Sequence, residues 1–243
     1  MTSSEELNSH CKKKEGNNMK LFIDDANIEA IKELNEYYPI DGVTTNPSIL
    51  AKAKRDPRET LKEIRDVIGE EKIIFAQAVD LSYEGMIRDA HMIMDLLGKN
   101  TVVKLPSTPT GFKAMAALKK EGILTCGTVV YTPMQAYLAA KAGASYVAPY
   151  VNRIDNMGYD GVGVVKKIQN ILENNNMDCE VLAASFKNSM QVLELAEYGV
   201  GNATCAADVI KGFVKNAAID SAIQDFVNDF EALTGKTSMS ELD

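Results

Sequence analysis

Tryptophan is absent from this chain, and His10 and His91 are its only two histidines. No HExxH pair and no His/Cys cluster occurs, which removes the usual donor sets for a zinc site; neither a metal nor another cofactor is expected. Cysteine is sparse too. Cys11, Cys126, Cys179 and Cys205 are scattered without a CxxC pair, a usage that suits reduced thiols in a cytoplasmic protein rather than a disulfide framework. Cys126 and Cys205 sit in apolar runs and are expected in the core. No apolar run approaches the roughly 18 to 20 residues needed to cross a bilayer, so no membrane association is expected. The opening stretch MTSSEELNSHCKKKEGNN lacks the apolar centre of a signal peptide. Basic residues are outnumbered, 26 Lys and Arg against 34 Asp and Glu, for a net charge of −8. That balance speaks against a general nucleic-acid partner, which needs a basic face.

Two further absences bear on the fold. No Pro/Gly/Ser-rich linker splits the chain, and no GxGxxG follows the first strand, where DDANIEA stands instead. The glycines of GYDGVGV, residues 158–164, come in the wrong order for that fingerprint and read as a loop. What is present is an alternation. Strand-like runs at 20–25, 42–46, 72–79, 101–106, 123–130, 145–151, 180–186 and, more weakly, 202–207 are separated by amphipathic helical stretches. Ile28, Ile31 and Leu34 recur at helical spacing, as do Met86, Ile87, Ala90 and Met94. Several strands are apolar on successive residues, as parallel strands covered on both faces are. The pattern predicts an α/β fold, a (β/α)8 barrel, with an open doubly wound sheet as the alternative. Residues 1–18 are expected to be a disordered extension, and 19–243 a single barrel domain ending in an additional helix. That helix carries Ile219, Ile223, Phe226 and Phe230 on one stripe, which must cover its own barrel or a neighbouring subunit.

Barrel active sites lie at the C-terminal ends of the strands. Reading off the polar residues there yields Asp24 and Asp25, then Thr44, Thr45 and Asn46, Gln77, Lys104, Thr128 and Tyr131, Tyr150, Asn152 and Arg153, and finally Ser185 and Lys187. Structural roles compete for several of them. One of Asp24 and Asp25 is expected to cap the first helix while the other points inward. Asn46 before Pro47 fits a cap as well as a ligand. Gln77, between two alanines, must find hydrogen-bond partners. Tyr150 could be core packing, and Arg153 a surface ion pair. Lys104 is the hardest to explain structurally. It sits between Val103 and Leu105 with no obvious exit for its ammonium, and burying an unpaired charge costs several kcal/mol as an order of magnitude. A neutral lysine in a dry pocket condenses with ketones, and the resulting iminium is an electron sink for cleaving a neighbouring C–C bond. Tyr150, Gln77 and Thr128 would position a water for proton transfer. Arg153, Ser185 and Lys187 would hold a phosphate.

The segments GVTTNPSIL, VVKLPST, GTVVY, VAPYVNRID and VLAASFKN resemble the short-chain transaldolase family, in particular its fructose-6-phosphate aldolase branch. The likeness runs from about Met19 to Thr237 in the same order and spacing. It implies Lys104 as the Schiff-base lysine, Asp24 and Asn46 at the ketose end, and Gln77, Thr128 and Tyr150 around a catalytic water, with Tyr150 as the acid/base group. It also implies Arg153, Ser185 and Lys187 at the phosphate. Sugar phosphates and dihydroxyacetone are then the small-molecule partners. Transaldolases carry Glu at the position of Gln77 and commonly Phe at that of Tyr150, so this chain has both aldolase-type residues. Family members of this length form decamers of two pentamers with the terminal helix on a neighbour, and the same self-association is expected here.

Overall fold

The computed structural model describes residues 18–242; of the extension expected at 1–18, all but Asn18 falls outside them. The chain runs β1 (Lys20–Asp24), α1 (Ile28–Tyr37), β2 (Gly42–Thr44), α2 (Pro47–Ala53), α3 (Pro57–Ile68), β3 (Ile73–Gln77), α4 (Tyr83–Leu97) and β4 (Thr101–Pro106). It continues α5 (Pro109–Lys120), β5 (Thr125–Val130), α6 (Pro133–Lys141), β6 (Tyr146–Pro149), α7 (Val151–Asp155) and α8 (Gly161–Asn174). The last elements are β7 (Glu180–Ala183), α9 (Ser189–Tyr198), β8 (Asn202–Cys205), α10 (Ala207–Gly212) and α11 (Ala217–Thr234). The strands pair in parallel and in sequence order, and β8 closes on β1, making a (β/α)8 barrel rather than an open sheet. All the anticipated strands form. β4 matches its run of 101–106, and the others are shorter because residues at one or both ends of each run belong to the flanking connections.

Alternation along the strands divides the core. Ile23, Val43, Ile74, Val103, Val147 and Val181 face outward against the helix ring and belong to the main cluster. Phe22, Phe75, Val102, Cys126, Tyr146 and Leu182 form a second cluster inside the lumen. There Phe75 meets Phe22 and Tyr146 edge to face, at centroid distances of 5.3 and 5.2 Å, a favourable geometry for the ring quadrupoles. Gly42 is required at its place in β2, because a Cβ there would lie 2.0 Å from the Ile73 carbonyl oxygen.

Local capping corrects two expectations. Asn27, not Asp24 or Asp25, caps α1 through the Ala30 N–H. The helix starts at Ile28, two residues beyond the point at which Asp25 would cap it, and Asp25 instead accepts from the Ala26 and Asn27 N–H groups. The GYDGVGV stretch is not wholly loop: Asp160 caps α8, which begins at Gly161. That cap overrides the low helix propensity of the glycines. Asn46 does cap α2 by accepting from Ile49 N–H, with Pro47 at the first helical position.

Helix α11 stands apart. None of its residues is buried, and Ile223 and Phe226 are 56% and 72% exposed. No described helix is long and apolar enough to cross a membrane.

Candidate active site

Two residues above the aromatic layer, the lumen turns polar. Asp24 follows Phe22, Gln77 follows Phe75, Lys104 follows Val102, and Thr128 follows Cys126, each one strand period closer to the C-terminal face. Lys104 is 5% exposed, and its Nζ donates to the Thr45 main-chain carbonyl at 2.7 Å. A cavity of about 240 Å3 reaches it, lined also by Asp24, Asn46, Tyr150, Arg153 and Ser185. Six of the residues picked out from sequence therefore share one cavity, and they come from five different strand ends.

Gln77 and Thr128 lie next to residues that line the cavity. Gln77 is the register partner of Lys104 in the β3–β4 pair, so both side chains leave the same face of the sheet. No hydrogen-bond partner for its amide occurs among the described residues, contrary to expectation, which leaves the amide available to water or substrate. Thr128 Oγ1 and Tyr150 Oη are 2.8 Å apart. A bulge between Gly127 and Val130 puts Val129 at φ 61°, a left-handed conformation costing about 1–3 kcal/mol for such a residue. Gln135 holds this turn: its amide donates to Val129 O at 3.3 Å and accepts from the Tyr131 and Thr132 N–H groups. Ser185 is likewise at φ 62°. Its carbonyl accepts from Asn152 N–H at 2.8 Å, fastening the end of β7 to the start of α7, which carries Arg153. The Arg153 guanidinium lies 4.5 Å from the centre of the Tyr150 ring. Lys187 is exposed and does not line the cavity.

Sequence reasoning passed over Thr204, Ser48 and Lys52, which also line the cavity. Thr204 lies in the weakest strand signal. Its hydroxyl is 2.6 Å from that of Thr44, which donates to Asp24 Oδ1 at 2.8 Å. Burial raises the Asp24 carboxyl above its ordinary pKa of 3.8, against the opposing pull of the Lys104 charge and the Thr44 hydroxyl. Beneath Lys104, burial pushes the Cys126 thiol up to about 12, so it is an inert core group. No cluster of His, Cys, Asp or Glu suited to a metal ion occurs among the described residues.

A buried lysine whose cavity also holds a tyrosine hydroxyl, an amide and an arginine is equipped for imine chemistry on an anionic carbonyl compound. The model of the transaldolase/fructose-6-phosphate aldolase family matches residues 21–241. The chain belongs to this family. A probable transaldolase of Geobacter sulfurreducens is 42% identical over 215 residues, covering 88% of this chain and 99% of that protein. One of Thermodesulfovibrio yellowstonii is 44% identical with the same coverage. Fold likeness extends further. A solved structure described as "Native KDPGal structure" has a TM-score of 0.53 at 15% identity, covering 78% of this chain and 82% of that one. Dihydrodipicolinate synthase from Rhodopseudomonas palustris reaches 0.52 at 12%, covering 80% and 74%. As a member of the transaldolase/fructose-6-phosphate aldolase family the protein is an enzyme of the Schiff-base aldolase or transaldolase type, and the family implies sugar-phosphate substrates.

Proposed function

We propose that this family member is a class I aldolase that reversibly cleaves fructose 6-phosphate to dihydroxyacetone and glyceraldehyde 3-phosphate. The observation carrying this reading is the placement of Gln77 beside Lys104, with Tyr150 hydrogen-bonded to Thr128 in the same cavity. Lys104 attacks C2 of the open-chain ketose, and loss of water leaves an iminium. Tyr150 takes the C4 hydroxyl proton as the C3–C4 bond breaks, releasing the aldehyde and passing the bonding electrons to the iminium as an enamine. Protonation of the enamine and addition of water then free dihydroxyacetone and the amine. Gln77 orients the water but cannot itself shuttle a proton as a glutamate would. The fragment therefore leaves by hydrolysis more readily than it waits for an acceptor. Asp24 and Asn46 bind hydroxyls at the ketose end. Arg153 and Ser185 hold the phosphate. Incubation with dihydroxyacetone, reduction by borohydride and peptide mapping should place a stable adduct on Lys104. An unmodified Lys104 overturns the reading.

Transaldolase activity is the second reading, favoured by the curated relatives named probable transaldolase. Turnover of fructose 6-phosphate only when erythrose 4-phosphate is supplied would select it. We also infer that the protein acts in the cytoplasm as a homo-oligomer, a decamer of two pentamers in which the apolar stripe of α11 is covered by a neighbour. The support is that no residue of α11 is buried within its own chain. Sedimentation should report an assembly that Phe226→Asp breaks down.

A further inference from the structure

The chain carries a net charge of −8, yet its central cavity is lined by three cations, Lys52, Lys104 and Arg153, against the single carboxylate of Asp24. Such a local reversal concentrates anions at a site the whole-molecule field repels. Lys104 is occupied by the Thr45 carbonyl and by the proposed imine. Arg153 sits on the Tyr150 ring at the β6 side. Lys52 is the cation without an assignment, and its setting is unusual.

Helix α2 buries none of its residues. Ser48, Ile49 and Lys52, at helical spacing on one face, line the cavity, Ile49 also packing against the main core. Ile49 and Lys52 also line a flanking cavity of about 610 Å3 that shares Asp24 and Ala206 with the first, so Lys52 stands where the two spaces meet. Nearby Arg55 is engaged by Glu63 at 2.7 Å. Lys52 has no ion-pair partner among the described residues. A long, solvated cation in this position reaches into the mouth at no desolvation cost until an anion arrives.

We propose that Lys52 is a second anion anchor, closing on the substrate phosphate from α2 while Arg153 and Ser185 hold it from β6 and β7, and thereby sets the preference for phosphorylated over unphosphorylated aldehydes. This inference rests on the reading of the cavity as a sugar-phosphate site. It makes Lys52 a specificity determinant with no part in imine formation.

The test compares kcat/KM for glyceraldehyde 3-phosphate and for glyceraldehyde, each condensed with dihydroxyacetone. In Lys52→Met the phosphorylated-to-unphosphorylated ratio should fall about tenfold, the scale of one charge-assisted contact, carried by KM, and Lys52→Arg should restore most of it. An unchanged ratio, or an equal loss on both aldehydes, overturns the proposal. A binding measurement separates this outcome from failure of the aldolase reading. Inorganic phosphate titrated into Lys104→Met protein, which forms no imine, should bind several-fold more weakly once Lys52→Met is added. Equal phosphate affinity in the two proteins rejects the anchor even if borohydride trapping at Lys104 succeeds. Weakened affinity supports the anchor even if trapping fails.

Discussion

The lumen of the barrel contains two layers built from the same strands, one period apart, with opposite chemistry. The lower layer, Phe22, Phe75 and Tyr146 with Val102 and Leu182, is closed, apolar and packed edge to face. The upper one is polar: Asp24, Lys104 and Tyr150 line the cavity, with Gln77 beside Lys104 and Thr128 hydrogen-bonded to Tyr150. A two-residue step along each strand converts a region whose energy comes from burial into one whose charges are kept by hydrogen bonds. The lower layer forms the apolar floor under the lysine, and the upper layer carries the groups to which the proposed chemistry is assigned.

Substitutions confined to one layer should sort by the quantity they disturb. Lys104→Met is expected to reduce turnover by on the order of 10^4-fold and to abolish borohydride trapping, while its thermal midpoint stays within a few degrees of the parent. Phe75→Ala empties the floor and should cost about 3–5 kcal/mol of unfolding free energy, read from denaturant curves. A drop in turnover without that destabilisation would erase the distinction between the layers. Tyr150→Phe keeps the ring under Arg153 and removes only the hydroxyl, so C–C cleavage should slow by about a hundredfold. Imine trapping should persist. The smallest effect concerns Asp24, whose carboxyl is raised by burial. The folded state then holds its proton to higher pH than the unfolded chain, so this group's contribution to stability declines as pH rises from about 3.8 through the folded value. Asp24→Asn should flatten that part of a stability-versus-pH series and leave the rest of the curve in place.

Most of the architecture was legible because it rests on periodicity. Apolar runs of parallel strands and the helical spacing of Ile28, Ile31 and Leu34 announce βα units without reference to tertiary contacts. Lys104 was legible for a related reason: a charge inside such a run demands an explanation. What stayed hidden depends on one-residue offsets or on contacts distant in sequence. The α1 cap passed from the aspartates to Asn27 because the helix starts at Ile28. The Thr204–Thr44–Asp24 chain joins β8, β2 and β1, and no local pattern signals it. Lys52 resembles any surface lysine until α2 is seen turning its unburied face to the cavity. Lys187, close in sequence to Ser185, lies outside that cavity because the chain between them has already left the lumen.

The acceptor for the lysine amine is a peptide carbonyl, that of Thr45, rather than a side chain. No codon change can delete a main-chain oxygen, so the partner of the proposed nucleophile does not depend on which side chain stands at position 45. Its companions Gln77 and Tyr150 are each one base-pair substitution away from altered chemistry. Descendants of such a scaffold would inherit a fixed attacking atom and explore new outcomes by exchanging the groups around it.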